Sequence, residues 1–350
     1  MKSTAEAFNA LDPKNVKAGD IVQLAPGNYA GWQNYGRPLG IKGAPQNSVI
    51  VQSADTKNKA MILDMFLQSG IFGITFRDLT LDGSGGNRNP TCFQILNSEN
   101  AGIDKCSVHG PLTEDPLTTL KKFTYGGIML RGSKNVFVTN SEIQRFGGGI
   151  GNLDNDGVLI KTNHLHDIGT DFIDNGGSSN VMIDGNNIHN GWSSLSGAHP
   201  DGIQFWTSNT KTPVHDITIQ NNHIWRDQGD QMQGIFMGNE LKLRYRTVKI
   251  INNRVEGGIW HGISIFTAED VLIQRNIVGI GPRFVNPRLP ATSQVITANW
   301  IDCGDINAAD GDLSRGLRLD NNWSDAYLMD HCYVTSDNQR HYNTPGLIGK

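Results

Sequence analysis

The octapeptide His199-Pro200-Asp201-Gly202-Ile203-Gln204-Phe205-Trp206 sets an imidazole and a carboxylate two residues apart, then adds an amide and an indole. An imidazole titrates near neutral pH, which makes His199 the first candidate for a base. A second acidic group, Asp171-Phe-Ile-Asp174-Asn175, precedes this stretch, and Arg226, Asp230 and Gln233 follow it. A pair of carboxylates such as Asp201 with Asp171 or Asp230 can act as acid and base across a glycosidic bond. Asp171, Asp174 and Asp201 are also candidate oxygen ligands for Ca²⁺, although their spacing is not that of an EF-hand. By strand alternation Asp174 falls on an inward-facing position, where it would be a hydrogen-bonded structural residue. Arg226, Gln204 and Asn175 are candidates for holding a substrate carboxylate. Tyr245, between Arg244 and Arg246, is a candidate proton donor or acceptor if its loop folds over the site. Of the seven tryptophans, Trp192, Trp206, Trp225 and Trp260 fall in this middle part of the chain, together with His261. Indole faces stack on sugar rings, and Asp, Gln, His and Arg pair with sugar hydroxyls, so the composition points to a carbohydrate ligand.

These residues sit in a repeat. The pattern apolar, any, apolar, two residues, Asn, any, apolar reads Val158-Leu-Ile160-Lys-Thr-Asn163-His-Leu165, then Val181-Met-Ile183-Asp-Gly-Asn186-Asn-Ile188. It returns around Asn222, Asn253, Asn276 and Asn299, and a last weak copy ends at Asn322. Earlier copies replace the Asn, with Cys106 and Ser141 in its place and Leu79 in the most divergent copy. Successive copies lie 22 to 36 residues apart, a solenoid period. Period-two alternation within each copy predicts short strands, and no Asn-Gly hairpin joins one copy to the next. Coiling the chain stacks equivalent strands in parallel at about 4.8 Å. An Asn amide carries both donor and acceptor, so stacked asparagines inside a turn can bond from coil to coil as a ladder. The expectation is an all-β solenoid of about ten coils. It forms one domain over residues 1–350, with a cap over about residues 1–20, coils over about 20–325 and a C-terminal cover or tail over about 326–350. Ala5, Phe8 and Leu11 are the expected apolar face of the cap.

With this register, and with Asp20-Ile-Val-Gln-Leu-Ala-Pro-Gly-Asn-Tyr29 resembling a first coil, the chain resembles the right-handed parallel β-helix superfamily. That superfamily includes pectate lyases, alginate lyases, mannuronan C5-epimerases and phage tailspikes. The resemblance implies that the Asn turn joins a second sheet to a third. The third sheet then leads through variable loops into a first sheet, along which polysaccharide lies. First-sheet strands would be Gly127–Arg131, Gly149–Leu153, Asp171–Asn175, Gly202–Trp206, Gly234–Gly238 and Gly262–Phe266. His199 and Asp201 would stand just before one of them. The epimerases carry Asp-Pro-His in a comparable place, whereas this chain has His-Pro-Asp.

The resemblance implies polysaccharide processing, with β-elimination of a uronic-acid polymer as the leading reading. His199 would take the C5 proton, with Asp201, Arg226 and Tyr245 completing the catalytic group. Asn175, Trp192, Gln204, Trp206, Trp225, Asp230, Gln233 and His261 would bind substrate. Ca²⁺ is the one cofactor in view. Hydrolysis by paired carboxylates is the alternative, although the polygalacturonase signatures Asn-Thr-Asp, Asp-Asp and Arg-Ile-Lys are absent. C5-epimerisation and non-catalytic glycan binding are further alternatives. With Lys+Arg 30 against Asp+Glu 34 and no long basic run, nucleic acid is not an expected partner. No apolar stretch of about 20 residues occurs, so no membrane span is expected. A secreted, extracellular or periplasmic protein is expected, monomeric or trimeric as in tailspikes, although no signal-peptide core follows Met1. Cys92, Cys106, Cys303 and Cys332 show no metal-ligand spacing, and are read as core thiols or at most one disulfide near the C-terminus.

Overall fold

The computed structural model describes residues 1–64, 66–83, 91–110, 126–192, 200–208, 210, 212–230, 232–241, 243–256 and 261–279. Beyond these it describes the backbone of Trp300–Asp302, Arg315–Asp320, Asn322–Ser324, Tyr333–Val334, Gln339–Arg340 and Gly346–Ile348. It is a right-handed parallel β-helix, with one helix among the described residues, and the chain divides into two compact units, Met1–Leu165 and His166–Lys350. No helix among the described residues is long and apolar enough to cross a membrane.

In the first unit each coil contributes a strand to each of three parallel sheets. One coil runs through Gly126–Arg131 in the first sheet, Lys134–Thr139 in the second and Glu142–Gln144 in the third. The next coil pairs with it in register, Ile128 beside Ile150 and Val138 beside Ile160. The core is filled by stacked equivalent residues, including Phe66 on Phe93 with ring centroids 4.4 Å apart and Trp32 on Phe66 at 5.9 Å. The N-terminal cap is the helix Thr4–Ala10, with Ser3 accepting from the Glu6 N–H as its N-cap. Ala7 and Leu11 are its buried residues and Phe8 is half-buried, so Ala5, placed inward from the sequence, is instead exposed. Cys92 and Cys106 are buried free thiols, both pushed up to about 12 by burial, while Cys303 and Cys332 lie outside the described residues.

The second unit repeats the same three-strand coil. First-sheet strands are Ile173–Gly176, Asp201–Trp206, Gln233–Met237 and His261–Ile265. Second-sheet strands are Ser179–Asp184, His215–Gln220, Tyr245–Ile251 and Ala268–Gln274. Third-sheet strands are Asn187–Gly191, His223–Trp225, Arg254–Glu256 and Ile277–Gly279. Parallel pairing continues to Asn322–Ser324, where Gly346–Ile348 adds antiparallel and closes the series.

The turn between second and third sheets explains the repeated asparagines. Asn186 Nδ2 donates to Asn222 Oδ1 at 2.9 Å, Asn222 to Asn253 at 2.9 Å, and Asn253 to Asn276 at 3.0 Å. Each of these acceptor oxygens also takes the backbone N–H of the preceding asparagine. The residue before each turn position is left-handed, as at Asn221 (φ 56°) and Asn252 (φ 55°). Asparagine tolerates that conformation, which accounts for the Asn-Asn pairs. In the first unit the same turn uses Cys106, Ser141 and Asn163, with the Ser141 N–H donating to Asn163 Oδ1 at 2.9 Å. A second polar column, Ser98, Ser133 and Asn155, crosses the corner between the first and second sheets of that unit.

Candidate active site on the first sheet of the second unit

The first-sheet strands of this unit begin where the third-sheet core presses on the corner. A Cβ at Gly202 would lie 2.6 Å from Ile224 Cγ2, and one at Gly234 would lie 2.5 Å from Val255 Cγ1. Only glycine fits, and the following residues, Ile203 and Ile235, also point inward. Alternation therefore restarts at the isoleucine. In the preceding strand Phe172 and Ile173 are both fully buried in the same way. Asp174 then lies on the outer face, in register with Gln204 and Phe236, and is half-buried. This corrects the inward placement read from alternation. The inward residue is Asn175, which is 1% exposed and donates to the Gln204 carbonyl at 2.8 Å, so it is a scaffold residue and not a substrate contact.

Three carboxylates meet here. Asp201 is 2% exposed, and its backbone N–H donates to Asp171 Oδ1 at 2.8 Å. Burial lifts Asp171 to about 6. Burial, then the charge of Asp171, lifts Asp174 to about 7. Burial, then Asp171 and Asp174 together, pushes Asp201 well above the usual carboxylate range. Gln233 pairs in register with Asp201 one coil on and is 5% exposed. Among the described residues, the buried oxygens Asp174 Oδ1, Asp201 Oδ1 and Gln233 Oε1 have no hydrogen-bond partner. Such groups are rare in folded proteins, and three of them meet on this one face.

Further along the sheet, His261 is half-buried and held neutral, lowered to about 4 by burial, with Ser264 Oγ 2.6 Å from its Nδ1. Phe236 lies 5.1 Å from the His261 ring and 5.7 Å from Phe266. Trp206, half-buried, lies against Gly176, where a Cβ would come within 1.7 Å of its Nε1. The sequence reading did not single out Phe236 and Phe266. Their signal was position: Phe236 stands where Asp174 and Gln204 stand in earlier coils.

Other expected site residues lie elsewhere. Tyr245 opens a second-sheet strand and is fully buried, donating to the Gly238 carbonyl at 2.6 Å. Its phenol is pushed well above the usual range by burial, so it packs the core and is in no loop over the groove. Arg226 is 3% exposed, with Nε donating to the Gly229 carbonyl at 3.0 Å. Its Nη1 and Nη2 are sealed from solvent and unpartnered, so it is not presented to a substrate carboxylate. Asp230, also 3% exposed, acts on Arg226 through its charge, and its N–H donates to the Gly191 carbonyl. Trp225 belongs to the third sheet, stacked on His223 at 5.4 Å with Nε1 bonded to Asn187 Oδ1. Trp192 is 4% exposed and donates to Asp167 Oδ1 at 2.9 Å, so it offers no open face to a sugar. His199 and Trp260 lie outside the described residues.

Asp171, Asp174 and Asp201 do not bring one oxygen each within 4.8 Å of one another, so as arranged they are not a close-set trio of Ca²⁺ ligands.

Among solved structures, the chain is similar to the A-module of the Azotobacter vinelandii mannuronan C-5 epimerase AlgE6. Identity is 14% and TM-score 0.47, covering 95% of this chain and 92% of that one. It is similar to the catalytic unit of the thermostable GH87 α-1,3-glucanase from Streptomyces thermodiastaticus strain HF3-3. Identity there is 12% and TM-score 0.51, covering 96% of this chain and 66% of that one. It is also similar to PfbA, a surface adhesin of Streptococcus pneumoniae, with 12% identity and TM-score 0.51, covering 97% and 89%. A glucanase and an adhesin on one architecture show the fold alone. No curated protein matches the chain. The family model described as right handed beta helix region matches residues 66–279, and the chain belongs to that family.

Proposed function

We propose that the protein is a carbohydrate-active enzyme that hydrolyses glycosidic bonds on the first-sheet face of its second unit. The observation that carries this reading is the trio Asp171, Asp174 and Asp201, whose burial and mutual repulsion drive their protonation apart. A glycosidic oxygen leaves readily only when it is protonated. Asp201, whose carboxyl is pushed well above the usual carboxylate range by burial and then by Asp171 and Asp174, is the donor. Asp171, at about 6, is mostly ionised at pH 7 and is the base. Asp201 gives its proton to the bridging oxygen as the C1–O bond breaks, the bonding pair staying with that oxygen. Water adds to C1 and its proton passes to Asp171. Gln204, half-buried on the outer face, would bond sugar hydroxyls. Polymers of this kind lie outside the cytoplasm, so the reading puts the protein in a secreted or periplasmic setting.

The elevated Asp201 also favours a second reading, β-elimination. A protonated carboxyl can neutralise a uronate carboxylate while a base such as His199 takes the C5 proton. Arg226 and Tyr245 play no part in either reading. Incubation with neutral and uronic-acid polysaccharides, followed by weighing the released oligosaccharides, separates the two. Hydrolysis predicts fragments that carry the added water. Fragments lighter by one water would overturn hydrolysis in favour of elimination.

A further inference from the structure

The first-sheet strands of the second unit read Ile-Asp-Asn-Gly, Asp-Gly-Ile-Gln-Phe-Trp, Gln-Gly-Ile-Phe-Met and His-Gly-Ile-Ser-Ile. None contains lysine or arginine. The face they form is acidic at one end, around Asp171, Asp174 and Asp201. It is aromatic at the other, around Phe236, His261 and Phe266. In-register pairing carries one end into the other, since Asp174 pairs with Gln204, Gln204 with Phe236, and Phe236 with Ser264. Each step is one coil, about 4.8 Å, comparable to the length of one sugar residue.

We infer that Phe236, His261 and Phe266 form a sugar-stacking subsite next to the acids, and that the face accepts a neutral glycan and not a polyuronate. The inference rests on the first-sheet face being the glycan site. The three rings are mutually packed, with centroid separations of 5.1 Å, 5.7 Å and 6.3 Å. Phe236 and Phe266 remain half-exposed although each is flanked by buried residues. A sugar ring has an apolar face of C–H groups that such a surface covers well, and aromatic contact adds to the area it buries. Ser264, fully buried, fixes the imidazole through its 2.6 Å contact with Nδ1, so the platform is rigid before ligand arrives. Burial keeps His261 uncharged at neutral pH. A polyuronate carries one negative charge per residue. Threaded along this face it would meet the ionised Asp171 and the part-ionised Asp174, and these described strands carry no lysine or arginine to answer its charge. A neutral chain meets no such barrier, and the half-buried outer-face side chains of Asp174 and Gln204 would pair with its hydroxyls.

The test is affinity electrophoresis of the full chain carrying Asp201→Asn, which prevents turnover. The gels hold a neutral α-glucan, a neutral β-glucan, a fructan, alginate or polygalacturonate. The expected result is retardation by at least one neutral polymer and by neither polyuronate. Adding Phe236→Ala, or Phe236→Leu to preserve packing volume, should weaken that binding about tenfold, the upper range for one aromatic contact. Tighter binding to a polyuronate, binding that ignores both Phe236 variants, or no retardation by any neutral polymer would overturn the inference. Cleavage by the unsubstituted protein is scored separately. Hydrolysis that does not depend on Phe236 would remove the subsite and leave the hydrolytic reading. Neutral-glycan binding without cleavage would do the reverse.

Discussion

The second unit buries two sets of polar side chains built from similar groups, and it treats them in opposite ways. At the turn between the second and third sheets, Asn222 donates to Ile183 and Asn253 and accepts twice from Asn186. On the first sheet, Asp174, Asp201 and Gln233 keep buried oxygens with no partner among the described residues. A buried amide with all its bonds made specifies the coil register. A buried carboxyl with bonds left open costs stability, and folded proteins retain such groups where a ligand or a reaction uses them. The contrast sets the turn that holds the coil register apart from the face proposed as the site.

If that contrast is right, substitutions in the two sets should have opposite signatures. The largest effect is expected at Asp201: Asp201→Asn should lower kcat on a cleaved glycan by about 10³-fold, within the range for losing a general acid. It should also raise the melting temperature, because it removes a carboxyl that burial and two neighbours oppose. Asn222→Ala should do the reverse in stability, costing on the order of 3 kcal/mol in urea unfolding, since it strands the Ile183 carbonyl and the Asn186 N–H. Loss of stability at Asp201 and indifference at Asn222 would erase the distinction.

The pH dependence sharpens it further. Asp171 and Asp174 titrate near 6 and 7 in the folded chain, above their unfolded values near 4. The native state therefore holds protons that the unfolded state has released. This contribution is fully present below about pH 4 and is lost as pH rises through 6 to 7. The melting temperature should fall over that window, and Asp171→Asn with Asp174→Asn should flatten the fall. Smaller still, Tyr245→Phe should cost about 1 kcal/mol for its bond to Gly238 while leaving activity unchanged. Removing divalent cations with a chelator should leave activity unchanged, as the carboxylate spacing does not suit a shared Ca²⁺.

Much of the scaffold was legible because a solenoid writes each coil again. The spacing of Asn186, Asn222, Asn253 and Asn276 located the turn, and the recurring Gly-Ile pairs located the first-sheet strands at Gly202 and Gly234. What alternation could not supply was the corner, where Gly202 and Ile203 both point inward. Counting across it shifted Asp174 and Asn175 by one position and exchanged their roles. Tyr245 misled for a related reason. Its basic neighbours read as a loop, while the ring at the strand's first position turns inward and packs edge-on to Phe205 at 6.3 Å. Trp225 and Trp192 shared the composition of the site but not its sheet, since two residues along a coil are enough to change faces. The aromatic platform was missed because Phe236 resembles a core residue until register sets it beside Gln204.

Infrared difference spectroscopy of the carboxyl C=O band, comparing the unsubstituted protein with Asp201→Asn, tests the central claim most directly. A protonated-carboxyl band at pH 7 that shrinks in the variant to the share held by Asp174 is the predicted result. Carboxylates that are all ionised by pH 5 in both proteins would contradict the account, because the first-sheet acids would then be ordinary surface groups with no proton to give.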